Sequence, residues 1–397
     1  MWTWRAKIGG GGCYGSYSAG SMSEGTCTSM RRGRGLLGMR LLRSHRKPVH
    51  CQFVDGLQSH CTTLISFRRL THGSQRGCNM GLKEMLEFVK VEHTLFSLPF
   101  VLIGFVLADH EFGSERMDVF WIIVAAVGAR GLAMALNRII DREIDSSNPR
   151  TSSRHLPSGT MSIQTAWILS TAFLGMLLFA AWMLNEVALK MAWLPVIAFV
   201  IYPYTKRFFW ICHFWIGFCL ALAPAGAWVA IAADTHGWAS ITGMHDGRTE
   251  FLWFPEVFFI SLGVALWISA FDINYALMDK DVDRDQGIRS FPASFGNIAT
   301  RNLSVALTIG WMVCFLLTGM HEFTESRRFR NTFWILSVVF MALVNIFVMT
   351  KAAESASESV EEMDRYQKIL FRSSMLTGWI LLASIMYVDY FSDGLFD

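Results

Sequence analysis

The sequence predicts an all-α polytopic membrane protein, a bundle of nine transmembrane helices, and three observations carry that reading. Of 397 residues, 52% are hydrophobic and only 17% are charged, too apolar and charge-poor for an ordinary soluble domain. From Leu82 onward apolar runs recur at regular intervals, most of them near the ~20 residues that a bilayer crossing requires. Fifteen Trp and 31 Phe supply the aromatic side chains that membrane proteins place at their interfaces.

Residues 1–80 stand apart from that pattern. They are rich in Gly, Ser and Arg, lack apolar periodicity, and carry twelve Lys/Arg against only Glu24 and Asp55. The expectation is a disordered basic leader or an over-extended start, with Met80 or Met85 nearer the true beginning. An organellar targeting segment is a second reading, being equally Arg- and Ser-rich and acid-poor. Basic residues alone do not specify nucleic-acid binding, and no nucleic-acid partner is expected. Five of the eight cysteines lie in this leader, while Cys212, Cys219 and Cys314 sit inside apolar runs without CxxC or Cys/His spacing. Neither a disulfide framework nor a zinc site is expected from them.

The remainder, 81–397, reads as the membrane domain. Its nine candidate spans are about 93–109, 118–141, 163–184, 187–204, 209–232, 252–278, 302–320, 332–350 and 373–391. The stretch 81–92 reads as an amphipathic lead-in at the interface. With the leader inside, the loops at 142–162, 205–208, 279–301 and 351–372 are cytoplasmic and hold thirteen Lys/Arg. The opposite loops hold six, three of them gathered at Arg327, Arg328 and Arg330. This asymmetry sets the orientation.

Two acidic ladders end on that predicted cytoplasmic side. The first is Asn137, Asp141 and Asp145; the second is Asp272, Asp279 and Asp283. On a helix, steps of four and seven residues return close to one face, so each set is expected in a narrow arc. Carboxylates beginning inside an apolar run are costly unless they hold a cation or a partner. Two converging sets of hard oxygen ligands suit Mg²⁺, which binds through a few carboxylates plus substrate phosphates. Arg130, two turns before Asn137 on nearly the same face, needs an anionic partner of its own. An EF-hand does not account for Asp279, Asp281, Asp283 and Asp285, because Arg284 and Ser290 fall at positions six and twelve. Between the ladders stands Tyr202-Pro-Tyr-Thr-Lys206-Arg207. Lys206 and Arg207 are either ordinary positive-inside residues or counter-charges for a departing diphosphate, with Tyr202 as a hydrogen-bond donor.

These motifs resemble the UbiA superfamily of intramembrane prenyltransferases over about residues 82–391. Asn137-x3-Asp141-x3-Asp145 matches its first signature, and Tyr275-Ala276-x2-Asp279-x3-Asp283 its second. Asp272 falls where the family carries a further acid, and Tyr202-x3-Lys206 and Arg154-x-Leu-Pro-Ser-Gly159 resemble two more family elements. Two positions depart: Arg138 stands where many members have Asp, and His155 where many have Pro. The form of the first ladder, followed by Asn148-Pro-Arg-Thr, is similar to a bacterial branch linked to quinone synthesis.

The resemblance implies Mg²⁺-dependent transfer of a polyprenyl chain from its diphosphate to an aromatic ring. Asn137, Asp141, Asp145, Asp279 and Asp283 are then the metal candidates. Lys206 would assist departure of the diphosphate, with Arg142 as a weaker candidate, and Arg130 and Tyr275 join the substrate-contacting set. Arg154 would anchor an acceptor carboxylate, and Asp272 would orient or deprotonate the acceptor hydroxyl. The partners are a polyprenyl diphosphate, a small aromatic acid and the lipid bilayer. The acceptor is 4-hydroxybenzoate or, alternatively, the 1,4-dihydroxy-6-naphthoate of another menaquinone route. A bacterial plasma membrane fits better than an organellar inner membrane. A cation-coupled transporter is the alternative from another class, and it would place its acids near the bilayer midplane.

Overall fold

The computed structural model describes residues 2–8, 11–17, 82–244, 251–322, 328–357 and 359–387. The chain divides into Met1–Gly77 and Cys78–Asp397. In the first unit, strands β1 (Trp2–Ile8) and β2 (Gly11–Tyr17) pair antiparallel, with Trp2 opposite Tyr17 and Ile8 opposite Gly11. The alternation of Trp2, Trp4, Ala6 and Ile8 with Thr3, Arg5 and Lys7 fits β1 and was passed over when residues 1–80 were read as lacking apolar periodicity. The rest of the leader expectation falls outside the described residues.

The second unit is helical. In chain order it comprises α1 (Leu82–Val89), α2 (Val91–Phe112), α3 (Asp118–Ile140), α4 (Arg142–Ser147), α5 (Ile163–Leu184), α6 (Glu186–Met191) and α7 (Trp193–Phe208). There follow α8 (Cys212–His236), α9 (Ala239–Thr242), α10 (Glu256–Tyr275), a 3-10 turn at Ala276–Asp279, α11 (Lys280–Asp285), α12 (Phe291–Glu322), α13 (Arg328–Ser355) and α14 (Val360–Met386). Among the described residues, nine helical stretches are long and apolar enough to cross a membrane, as the sequence predicts. The loop expected at 351–372 is the main difference, because α13 runs to Ser355 and α14 begins at Val360. The Ser359 hydroxyl caps α14 by accepting from Glu362 N at 3.1 Å, and Lys368 pairs with Asp364 one turn earlier at 2.6 Å. A charged sequence with its own cap continues as helix where hydropathy alone ends the span.

Helices approach closely where side chains are small. A Cβ at Gly104 of α2 would collide with the backbone of Pro224 on α8, so only glycine permits that crossing. Around it Trp228, Trp267, Trp311 and Trp334 are fully buried, and Phe96 and Phe100 pack on Trp267 with ring centroids 4.7 and 4.6 Å away. Trp167, Ile168, Trp182, Phe340 and Phe347 face outward, as lipid-facing side chains do. A neutral polar seam ties α13 to α14. Asn345 donates to Thr377 Oγ1 at 2.8 Å and accepts from Ser374 Oγ at 3.1 Å, all three fully buried.

Candidate active site

Neither ladder is a continuous helix face, which corrects the single-arc expectation. The first ladder leaves α3 at Asp141, whose φ/ψ of −92°/4° joins α3 to α4. The second passes through the 3-10 turn and leaves it at Asp279, with φ/ψ of −105°/1°. Both junctions lie in the sparsely allowed bridge region, which re-aims the side chains relative to an unbroken helix.

Asp141 is 1% exposed and is the most heavily partnered acid of the site. Its Oδ2 accepts from Asn137 Nδ2 at 3.0 Å and from the Lys206 ammonium, and Arg207 Nη2 stands 3.7 Å from Oδ1. Arg207 also donates to the carbonyl of Ile140 at 2.9 Å. Burial pushes the Asp141 carboxyl above the usual carboxylate range, with Lys206 and Arg207 pulling the other way. Asp145 is buried and accepts from Arg154 Nη1 through both oxygens at 2.8 Å. Its carbonyl holds the hydroxyl of Thr151 at 3.0 Å, which ties the following loop back to α4.

The loop after α4 reaches the second ladder. Asn148 Oδ1 accepts the backbone N–H of Arg150 at 2.9 Å, a turn closed by the side chain. That turn points Asn148 Nδ2 at Asp279 Oδ1, 3.1 Å away, and lays Arg150 Nε on the same oxygen at 2.8 Å, with Nη2 on Oδ2. Burial alone lowers the Arg150 guanidinium, but Asp279 more than offsets it and holds the group above its ordinary value. Gln286 Nε2 donates to Ser147 Oγ at 3.1 Å, and Arg289 N to the carbonyl of Lys206 at 3.2 Å. Through these contacts α4, α7 and the second ladder form one network.

Other candidates lie at its edges. Arg142 is half-exposed and, among the described residues, pairs only with its neighbour Glu143 at 3.7 Å, so the structure does not bring it to the cluster. Arg154, expected to anchor an acceptor carboxylate, pairs with Asp145. Tyr275 ends α10 half-buried and stacks on Phe271 at 5.3 Å. Asp283 lies on α11, half-buried. Tyr202 on α7 packs against the core.

The two departures from the family pattern meet on one ring. Phe88 of α1 is fully buried, with the Arg138 guanidinium 5.6 Å over its face and His155 edge-on at 6.1 Å. Burial and the Arg138 charge hold the His155 imidazole below its ordinary value.

Among the described residues, no three acids, histidines or cysteines gather closely enough to hold a metal by themselves. The reason is visible: Asp141, Asp145 and Asp279 are each turned onto a basic side chain. The donor set still fits Mg²⁺. It is all hard oxygen, Asp141 Oδ1 is buried without a hydrogen-bond partner among the described residues, and Mg²⁺ ordinarily takes part of its shell from phosphate.

Further into the bundle lies an apolar cavity of about 630 Å³, lined by residues that include Val101, Leu177, Phe199, Phe218 and Trp253. Among the described residues the one charged side chain in its lining is Arg130, whose Nε has no hydrogen-bond partner. Asp272, deeper than Asp279, accepts from or shares a proton with His213 Nδ1 at 2.7 Å. Sequence reasoning passed over Arg150 and His213. For His213 a signal existed, since an ionisable residue inside an apolar span is a functional candidate by default. Arg150 stood within the Asn148-Pro-Arg-Thr stretch, which carried the resemblance without assigning this side chain a role.

The UbiA prenyltransferase family matches this chain over residues 97–365. A 4-hydroxybenzoate octaprenyltransferase of Vibrio atlanticus (strain LGP32) is 30% identical over 210 residues, covering 53% of this chain and 67% of the relative. One of the same name from Shewanella woodyi (strain ATCC 51908 / MS32) is 28% identical over 219 residues, covering 55% and 69%. Among solved structures, the apo structure of a UbiA homolog from Aeropyrum pernix K1 superposes with a TM-score of 0.58 at 26% identity, over 74% of this chain and 97% of that one. A UbiA homolog from Archaeoglobus fulgidus bound to DMAPP and Mg²⁺ gives 0.51 at 17% identity, over 76% and 99%.

Proposed function

Because this chain belongs to the UbiA prenyltransferase family and is an aromatic prenyltransferase of the membrane, we propose that it transfers a polyprenyl group to the ring of 4-hydroxybenzoate or a closely related quinone precursor. The carrying observation is the acid–base cluster at the end of α3 next to an apolar cavity whose lining includes Arg130 and Ala133 of the same helix, Arg130 being the one charged side chain there among the described residues. A polyprenyl diphosphate has the same division into a charged head and a long apolar chain. The Vibrio and Shewanella relatives carry the name of this activity, and the Archaeoglobus homolog is bound to a prenyl diphosphate and Mg²⁺.

Asp141, Asp145 and Asp279, with Asn137 and Asp283, would hold Mg²⁺, which when bound supplies Lewis-acid neutralisation of the diphosphate. Arg150 and Arg154, now on Asp279 and Asp145, are the planar donors that bind phosphate oxygens in pairs. Lys206 and Arg207 take up charge as the diphosphate departs. Arg130, whose Nε has no hydrogen-bond partner among the described residues, receives the acceptor carboxylate. Asp272 takes the proton of the acceptor hydroxyl, which activates the ring carbon beside it. Phe199, Phe218 and Trp253 exclude water and offer ring faces to a developing allylic cation. The cluster faces the cytoplasm, where Lys/Arg are concentrated.

The test is a membrane assay with Mg²⁺ and a polyprenyl diphosphate, offering 4-hydroxybenzoate or 1,4-dihydroxy-6-naphthoate separately and reading products by mass spectrometry. A prenylated 4-hydroxybenzoate, lost on chelation, is the expected result. An adduct only with the naphthoate moves the chain to the other quinone route, and no adduct with either overturns the acceptor assignment.

A further inference from the structure

His213 is the second residue of α8 and is 3% exposed, and the established family membership gives it no role. Its ring is held from both nitrogens. Nδ1 lies 2.7 Å from Asp272 Oδ2, and Nε2 accepts the backbone N–H of Phe291, the first residue of α12, at 3.1 Å. A peptide N–H can only donate, so Nε2 presents its lone pair and the proton sits on Nδ1. The imidazole is therefore the neutral tautomer that donates to Asp272. Its own carbonyl accepts from Ser269 Oγ at 3.1 Å, which pins the start of α8 to α10. A buried histidine satisfied on every side is ordinarily structural. Here its partner differs: the Asp272 side chain is 25% exposed, and its second oxygen takes no hydrogen bond from the described residues.

We propose that His213 is the positioning residue for Asp272, fixing the carboxylate so that its free oxygen meets the hydroxyl of a phenolic acceptor. This rests on the assignment of Asp272 to the acceptor given above. As the acceptor O–H proton passes to Asp272, a C–C bond forms between the neighbouring ring carbon and C1 of the prenyl chain. The C1–O bond breaks, and its electron pair leaves with the diphosphate. The ring carbon then loses its hydrogen as a proton, and Asp272 returns its proton to the acceptor oxygen, so one proton is released overall. His213 does not relay the proton. A second proton on its ring would have to displace the Phe291 N–H from Nε2.

The test uses the full-length protein in membranes, with His213→Ala, His213→Asn, His213→Gln and Asp272→Asn. His213→Ala is expected to lower kcat by about ten- to a hundred-fold, while affinity for the polyprenyl diphosphate stays at the wild-type level. Asn places an N–H near the position of Nδ1 and restores most of the rate. Gln reaches toward Phe291 but not Asp272 and does not. With 4-hydroxybenzoates bearing a more acidic phenol, the gap between wild type and His213→Ala narrows, which a packing role would not produce. Wild-type kcat in His213→Ala beside an inactive Asp272→Asn overturns the inference and leaves the Asp272 assignment standing. Equal rescue by Asn and Gln, or loss of donor affinity in His213→Ala, reduces His213 to packing. An active Asp272→Asn removes the assignment itself.

Discussion

The two ladders part from their helices in the same way and are neutralised in different ways. Asp141 and Asp279 share the bridge-region backbone, Asp141 where α3 gives way to the short α4 and Asp279 where the 3-10 turn gives way to the short α11. Asp141 is closed in by its own helix and by α7, through Asn137, Lys206 and Arg207. Asp279 takes its partners, Asn148 and Arg150, from the loop that follows the first ladder. The second ladder thus depends on the first, and the loop from Asn148 to Arg154 makes them one site. Arg154 at the end of that loop returns to Asp145, so the loop is clamped at both ends by the acids it serves.

The largest expected effect comes from removing the junction acids. Asp141→Ala and Asp279→Ala each lower turnover by at least about a thousand-fold in the membrane assay, the upper scale for losing one member of a charge-stabilising constellation. Stability separates them. Asp141→Ala strands two cations beside a buried position and costs on the order of 3 kcal/mol. Asp279→Ala frees Arg150, whose side chain is 40% exposed and can hydrate, so its cost is about 1 kcal/mol or less. Thermal unfolding in detergent reads the difference. Equal destabilisation would remove the contrast between an enclosed ladder and a dependent one.

The next effect tests the loop. Arg150→Ala is expected to cost about ten- to a hundred-fold in kcat/KM, because misplacing a substrate-positioning group by an ångström acts on that scale. Arg142→Ala, eight residues earlier and paired among the described residues with Glu143 alone, leaves kcat/KM within about twofold of wild type. A strong Arg142 effect with a silent Arg150 would return the site to the arrangement expected from the motifs alone.

That pair of residues marks where the sequence was informative and where it was not. The nine spans were legible because hydropathy records burial in lipid directly. The acids were legible because carboxylates inside apolar runs are rare enough to stand out. Their partners were not. Arg150 and Arg142 are both basic residues in one predicted loop, and only the Asn148 turn decides which one reaches Asp279. The same limit applies to Arg154, whose commitment to Asp145 follows from the loop doubling back. The spacing of Asn137, Asp141 and Asp145 also assumes an unbroken helix, and a break at Asp141 leaves no mark in that spacing.

Phe88 extends the comparison to the outside of the loop. It carries Arg138 on its face and His155 at its edge, so the amphipathic helix α1 braces the loop that holds Arg150 and Arg154. Phe88→Ala removes a fully buried ring and is expected to cost about 3 kcal/mol. The kinetic consequence should be smaller than that of Arg150→Ala and should appear in KM for the diphosphate. A variant with lowered stability and unaltered KM would show that α1 supports the fold without reaching the site.

The smallest effect belongs to the seam between α13 and α14, which is as deeply polar as the ladders but carries no charge. Asn345 makes its bonds to Met341 O, Thr377 Oγ1 and Ser374 Oγ entirely within the bundle. All three side chains are fully buried and already paired inside the bundle, out of a substrate's reach, so the set holds two helices together. Hydrogen bonds of this kind between membrane helices are worth about 0.6 kcal/mol on average, since the separated helices also find partners. Asn345→Ala should therefore lower thermal stability slightly, by about 1 kcal/mol, and leave kcat and KM unchanged. The ladders differ because their charges are balanced by side chains that a diphosphate can recruit, whereas the seam is balanced by groups with nowhere else to go. If Asn345→Ala altered KM for either substrate, polarity inside this bundle could not be sorted into structural and catalytic sets by charge alone.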